Sequence, residues 1–414
     1  MTRTILLDDH PVLTRAALID GDEVVRLAYH HPHRPHPLRG SLYRAKITDI
    51  DTRLNAAYAD LSGPGGFLRR KGKLPPSGST VLVEIRREPF GGKAAEISDT
   101  PVLRLPMATL GSDGEVRSGP LGDPSDGMAA KIGELWATAQ SAPLGAADNV
   151  PPIIRLLTEL AANGVDQIDV TSPRTRSLVQ SFVGDRVSVD VVDAIGARTY
   201  MMDAEEDALR RQIDLPGGGR VIIDETEALT AIDLDLGGQG GQSVKGAADK
   251  LLTAALQALG HHARLADLGG QIVIDVPRGA ISAPKIMRDR LTRTFRPLGR
   301  ISVPAVTPEG LGVVIAPRPG PTLLERLTTP SGTGIRAGRV LADDVAAMAA
   351  LHTLETALAD SRTATLTLAV SPRLRHFVTK DAPALSQLRE TYGPRLSVRV
   401  DEALEGEDIP YHVN

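Results

Sequence analysis

The 414-residue chain has no cysteine, and that absence removes several chemistries at once. Disulfides, thiol nucleophiles, thiolate-bound zinc and iron–sulfur clusters are all excluded. Aromatic residues make up only 3 %, so each ring is worth placing. No apolar run approaches the ~18 residues that a membrane helix needs. The opening MTRTILLDDH lacks the long apolar core of a secretory signal, so a cytoplasmic location is expected. Charge of one sign is also missing: 47 Lys and Arg stand against 51 Asp and Glu, a net of −4, which excludes a globally basic nucleic-acid packager. What is abundant is glycine (40) and proline (30), which predicts many short elements and turns. A hydrophobic share of 42 % supplies material for several cores, and the length predicts two to four domains.

Along the chain the patterns change in blocks. Residues 2–29 alternate loosely around Asp20-Gly21-Asp22 and read as two or three short strands. HHPHRPHPLRG (30–40) reads as a Pro-rich solvated connector; its histidines His30, His31, His33 and His36 leave metal binding as the sharper alternative. Residues 38–98 carry four or five short strands, the signature of a small closed barrel of the OB type. This block holds 11 Lys and Arg against 6 Asp and Glu, so it is net +5 while the rest of the chain is −9. Tyr58 and Phe67 flank SGPGG on successive strands, and Lys93 follows Gly91-Gly92. Exposed rings beside cations make a platform for single-stranded bases; the competing reading is that the rings fill a small core.

Strand and helix patterns then alternate, which predicts an α/β layer. DAEEDALRRQ (203–212) reads as a helix with acids in its first turn and Arg in its last. Two strands, ALTAID and QIVID, end in Asp233 and Asp275 and are separated by a long amphipathic helix over 244–270. A carboxylate at the end of so apolar a strand costs several kcal/mol of desolvation unless it is paired or bound to a metal. If the strands are neighbours, both acids reach one sheet edge and suit Mg²⁺, which uses one or two protein carboxylates. The alternative is a pair of capping acids at strand–loop junctions. A generic Mg²⁺ phosphohydrolase stands level with a nuclease on these grounds. Residues 278–300 hold seven Lys and Arg (Arg278, Lys285, Arg288, Arg290, Arg293, Arg296, Arg300) against Asp289, with Met287, Leu291 and Phe295 as a buried stripe. That basic face is a second place for a polyanion. The tail after 338 reads as a compact α/β module.

VIIDETEALTAIDLDLGG, RLADLGGQIVIDVPR and GSLYRAKITDIDTRLNAAYADLSGPGGFLRR together resemble the bacterial RNase E/G endoribonucleases. The resemblance implies an α/β multidomain protein with an OB-fold barrel (38–98) inserted in an RNase H-like region (1–37 and 99–200). A DNase I-like catalytic domain (201–320), a linker (321–338) and a small C-terminal α/β domain (339–414) follow. It implies Mg²⁺ (or Mn²⁺) on Asp233 and Asp275, and RNA contacts from Tyr58, Phe67 and Lys93, with Arg318 at the position of a sensor arginine. The implied activity is metal-assisted hydrolysis of single-stranded RNA; the alternative is a non-catalytic RNA-binding protein or regulator of the same descent. Asp235 stands where the family usually has Asn and adds a possible third ligand. Leu327 and Pro330 occupy the family's zinc-cysteine positions before Ser331-Gly332-Thr333-Gly334. No zinc and no zinc-linked dimer are therefore expected, and any homo-oligomer uses another surface. Residues 114–127 lack the family's Arg-Thr pair for a 5′-monophosphate, so cleavage indifferent to the 5′ end is expected. A short form without the family's scaffold tail is expected too.

Overall fold

A computed structural model describes every residue except 1, 35–36, 238–244, 278–282, 332–337, 362, 380–381 and 406–408. The chain divides into two compact units, Met1–Met202 with Arg326–Asn414, and Asp203–Glu325.

The first unit is built on a five-stranded sheet. Its antiparallel part runs Arg3–Asp9, Thr14–Asp20 and Glu23–His30, with the turn at Gly21 (φ 66°) joining the last two. Gln167–Val170 and then Ser188–Val191 add in parallel beside Arg3–Asp9. Ile5 and Leu7 face a core that also takes Ile154 and Leu157 from the helix Pro152–Leu160, and Trp136 from the helix Asp126–Ser141.

Between the third and fourth strands of this sheet in sequence, the chain closes a five-stranded barrel. Leu42–Asp51 pairs with both Ala56–Asp60 and Thr80–Arg87. Gly65–Arg69 and Ala95–Ser98, running parallel to each other, complete the ring. Alternation sends Ile47, Ala57, Ala59, Leu68, Val83 and Ile97 inward. The barrel expected from the sequence is thus present as an OB-like closed sheet.

The C-terminal module has a three-stranded sheet (Leu396–Val400, Leu366–Val370, Tyr411–Val413) under the helices Asp343–Asp360 and Pro383–Tyr392. The connector at 30–40 is not the solvated linker that its prolines predict. His31 is buried, with Nδ1 2.8 Å from Asp344 Oδ2, and Arg34 pairs with the other oxygen of the same carboxylate. His33 stacks edge-on with His376 and Phe377. His36 lies outside the described residues.

A buried charge network crosses the sheet end. Asp8 and Arg15 are both fully buried, with Arg15 Nη2 3.0 Å from Asp8 Oδ2. Arg198, on the helix Ala194–Leu209, donates to Asp8 at 3.1 Å and to Glu355 at 2.6 Å. Burial opposes ionisation of Asp8, but Arg15 and Arg198 outweigh it and hold the carboxyl well below the usual range. That helix begins at Ala194, so the acids of DAEEDA lie in its C-terminal half and not in its first turn, where the dipole argument put them.

A buried histidine and a half-buried one make this unit acid-sensitive. Burial pushes His10 down to about 3 and His30 down to about 4, from 6.5. Below pH ~6.5 the unfolded chain takes up these protons and the folded chain does not, so stability falls as pH falls. Denaturation followed through Trp136, which sits in the same core, is expected to show about 2–4 kcal/mol less stability at pH 5 than at pH 7.5. Equal or greater stability at pH 5 would contradict these assignments.

The second unit is one six-stranded sheet in the order Gln212–Asp214, Arg220–Glu225, Thr230–Asp235, Gly270–Asp275, Leu311–Ala316, Ser302–Val306. Lys245–Leu265 connects the two central strands, and Pro284–Phe295 follows the second of them. Leu252, Leu259, Met287, Leu291 and Phe295 from these helices pack on Ile232, Leu234, Ile272 and Ile274 of one sheet face.

Candidate active site and nucleic-acid interface

The other face of this sheet is open, and the alternation of residues decides what it carries. In Thr230–Asp235, Ile232 and Leu234 point into the core, so Ala231, Asp233 and Asp235 point out. In Gly270–Asp275, Ile272 and Ile274 point in, so Gln271, Val273 and Asp275 point out. The two strands are parallel neighbours, and Asp233 stands directly opposite Asp275. Adjacent strands lie ~4.8 Å apart, which brings the two carboxyl groups to the same spot on the open face. Both residues are exposed. The desolvation cost argued from the apolar strands therefore does not apply; water or an ion reaches both acids freely.

Backbone geometry holds the ends of this pair of strands. The turn beside Asp275 places Gly310 at φ 114°, and a Cβ there would meet Val276 O at 2.4 Å. Val276 N–H donates to Gly310 O at 2.9 Å. At the same end of the neighbouring strand a Cβ on Gly219 (φ 88°) would meet Asp235 O at 2.6 Å. Only glycine serves at these two positions.

Asp235 shares the face but is already engaged. Arg220 Nε donates to its Oδ2 at 3.2 Å, and the Gly237 amide donates to its Oδ1 at 3.0 Å. Among the described residues no group of three or more His, Asp or Glu side chains is disposed to hold one ion. The donor set at the sheet centre is thus two opposed carboxylates, which fits Mg²⁺ with waters and phosphate oxygens completing its shell. The surroundings are two-sided. Arg220, Ile222 and Asp224 flank Asp233 and its neighbours on one strand, with Arg211 gripping Asp224 through two bonds of 2.5 and 2.8 Å. On the other side Leu311 and Ile315 lie 43 % and 45 % exposed, with Leu311 opposite Asp275.

The basic helix does not look onto these acids. Met287, Leu291 and Phe295 are its buried stripe, as expected, but they pack on the covered face of the sheet. Its exposed cations therefore lie on the far side from Asp233 and Asp275, and Arg290 is paired with Asp249 at 2.6 Å. Arg278 lies outside the described residues. Arg318 is half-buried and donates to Glu325 at 2.6 Å. Leu327 is fully buried and Pro330 ends the strand Thr328–Pro330; Gly332, Thr333 and Gly334 lie outside the described residues.

On the barrel, Tyr58 and Phe67 are cross-strand partners with ring centroids 5.6 Å apart. Their neighbours Ala57, Ala59 and Leu68 point inward, so both rings stand on the outer surface, Tyr58 41 % exposed. The reading that they fill the barrel core is overturned. Lys93 is exposed, and its Nζ lies 5.7 Å from the ring centre of Phe90, which also has the Arg87 guanidinium at 5.8 Å. Phe90 was not singled out from the sequence; a lone aromatic before Gly-Gly between two cations was the available signal. Replacing Tyr58 and Phe67 together by Ala is expected to weaken binding of a single-stranded oligoribonucleotide by roughly 2–6 kcal/mol with circular dichroism unchanged. Unfolding of the double variant, or unaltered affinity, would remove the platform.

A closed barrel with outward rings and a mixed sheet with an opposed carboxylate pair define a multidomain α/β protein. The model of the Ribonuclease E/G family matches residues 131–278, which include both aspartates. The chain is similar to ribonuclease E of Escherichia coli K12, 24 % identical over 75 % of this chain and 36 % of that protein. It is likewise 23 % identical to ribonuclease E of Haemophilus influenzae, over 94 % of this chain and 50 % of the relative. Ribonuclease G of E. coli K12 is 30 % identical over 29 % of this chain and 27 % of its own length. Over residues 131–278, and more weakly over most of its length, the chain is similar to the ribonuclease E/G family. It spans between about a third and a half of the length of the ribonuclease E relatives named here.

Proposed function

We propose that the protein is an endoribonuclease that hydrolyses phosphodiester bonds of single-stranded RNA with Mg²⁺ held by Asp233 and Asp275. The observation that carries this reading is the register that sets those two exposed carboxylates opposite each other on the open face of the sheet. A bound Mg²⁺ supplies Lewis-acid stabilisation of charge developing on the phosphate and lowers the pKa of a coordinated water. The chain's own contribution is to hold two negative charges in fixed register. Arg220 keeps Asp235 occupied beside them, and Leu311, Val273 and Ile315 offer apolar surface to a base next to the reacting phosphate. Tyr58, Phe67 and Lys93 take bases and backbone of the single strand. The test is cleavage of a labelled A/U-rich oligoribonucleotide in Mg²⁺, followed by analysis of product ends.

In this reading the five-stranded sheet is the RNase H-like region (1–37 and 99–200) and residues 38–98 are the RNA-binding barrel. Residues 201–320 are the DNase I-like catalytic domain, 321–338 a degenerate zinc link without zinc, and 339–414 the small domain. The protein acts in the cytoplasm in RNA processing. Cleavage is indifferent to the 5′ end. In the 114–127 segment Arg117 is held by Asp113 through Nη1 at 3.2 Å and Nη2 at 2.5 Å. Ser118 donates to Asp123 at 2.5 Å, so the segment carries a further carboxylate, whose charge disfavours a phosphate. Substrates with 5′-hydroxyl and 5′-monophosphate ends are expected to be cut at rates within about threefold, under roughly 0.7 kcal/mol. A preference above tenfold for the monophosphate would show a sensor in this segment.

A further inference from the structure

A second cleft, in the first unit, is lined by arginines that the aspartate site and the Tyr58–Phe67 platform do not use. It has a volume of about 440 Å³, within the range of small-molecule sites. Arg26 comes from the sheet and Arg155 from the helix Pro152–Leu160. Arg39 and Arg86 come from the barrel, and Arg104 comes from the strand Val102–Arg104. Among the described residues two carboxylates share the lining, Glu84 and Glu159. Each is already divided between two guanidiniums. Glu159 takes Arg26 at 2.6 Å and Arg39 at 3.5 Å. Glu84 takes Arg86 at 3.2 Å, pairs with Arg104, and accepts the Val102 amide at 3.0 Å. Arg155 closes the back of the cleft, its side chain 9 % exposed, bonded to Gly40 O at 2.9 Å and paired with Asp148 behind it.

The lining keeps an excess of three positive charges, two when Asp148 is counted. Like charges crowded into one concave wall repel. An anion relieves that repulsion. Guanidinium forks match the paired oxygens of a phosphate, whose negative charge offsets the excess. The volume admits a phosphate with its attached nucleoside.

We infer that this arginine cleft is a phosphate-binding site, taking a nucleotide phosphate from either a bound RNA strand or a free mononucleotide. The RNA source rests on the ribonuclease reading above; the free-nucleotide source does not. Arg39 and Arg86 are the most exposed of the five, at 46 % and 41 %, so both are replaceable without opening the core. The test compares the Asp233→Asn protein with the same protein carrying Arg39→Gln and Arg86→Gln, which keeps the RNA intact during measurement. The probes are a fluorescent 12-nucleotide A/U-rich RNA over a salt series, and AMP in a thermal-shift assay. If RNA is the source, the added changes weaken RNA binding about tenfold at 100 mM salt. They also lower the slope of log affinity on log salt by about one to two, as loss of two phosphate contacts requires. If a free nucleotide is the source, AMP raises the melting temperature of the parent but not of the arginine variant, with RNA affinity unchanged. RNA affinity within twofold, an unaltered slope and no AMP-dependent shift in the parent overturn the inference. Should the double variant fail to melt cooperatively, Arg39→Gln alone is read by the same measures. Failure of the parent to bind RNA at all contradicts the ribonuclease reading instead, and leaves the cleft to the AMP measurement.

Discussion

Asp233→Asn and Asp275→Asn are each expected to lower RNA cleavage at least a thousandfold while RNA affinity stays within a few-fold. The asymmetry follows from what each group does. The carboxylate pair acts on charge that develops only as the phosphodiester reacts, and loss of one such electrostatic contact costs about 4 kcal/mol in the barrier. In the proposed function the strand is held chiefly by stacking and by cations elsewhere, which Asn at these positions leaves intact. Both acids are exposed on the open sheet face, so their replacement has little effect on folding, within about 0.5 kcal/mol. Asp235→Asn is a useful contrast. Its carboxylate is bound to Arg220 and to the Gly237 amide, so its loss acts on the shape of the strand end and not on a ligand of the pair. A rate near wild type in either Asp233→Asn or Asp275→Asn would show that the pair is not the cleavage centre.

The second large effect is on stability. Asp8→Ala is expected to destabilise the first unit by about 3–5 kcal/mol, because it removes the carboxylate that faces a fully buried guanidinium. Arg15 loses its 3.0 Å partner and cannot reach water, whereas Arg198 keeps Glu355 at 2.6 Å. Thr171 also loses the acceptor that it meets at 2.9 Å. Trp136 lies in the core that contains Ile5 and Leu7, so its fluorescence reports the unfolding of this unit. A shift of the denaturation midpoint worth less than about 1 kcal/mol would mean that the network is looser than the structure depicts. Replacing Asp8 and Arg15 together by apolar residues is expected to restore much of the loss, since the cost lies in the buried cation that has lost its carboxylate.

These effects differ in how readily the sequence announces them. The strands holding Asp233 and Asp275 are visible as apolar runs, and the amphipathic helix between them implies a parallel crossover. Their register is not visible, because period-two alternation fixes the face of a residue and not which residue lies across from it. The barrel is legible from its short strands and turns. The outward direction of Tyr58 and Phe67 is legible only once Ala57, Ala59 and Leu68 are assigned inward. The basic run at 278–300 misleads because charge patterning marks the exposed side of a helix without saying which sheet face the helix covers. The network of Asp8, Arg15, Arg198 and Glu355 joins residues more than 300 positions apart, and no local pattern signals it. The arginine cleft is hidden for the same reason: its five cations are scattered over about 130 residues and read one by one as solvated.

The most direct measurement of the central claim is cleavage of an end-labelled, single-stranded A/U-rich RNA by the wild-type protein in Mg²⁺, in EDTA, and after Mg²⁺ is restored in excess. The account predicts endonucleolytic products in Mg²⁺, none in EDTA, and full recovery on restoration, with all cleavage absent from Asp233→Asn and Asp275→Asn protein prepared alongside. Cleavage that persists in EDTA, or a wild-type protein that binds the RNA and leaves it intact in Mg²⁺, would contradict it.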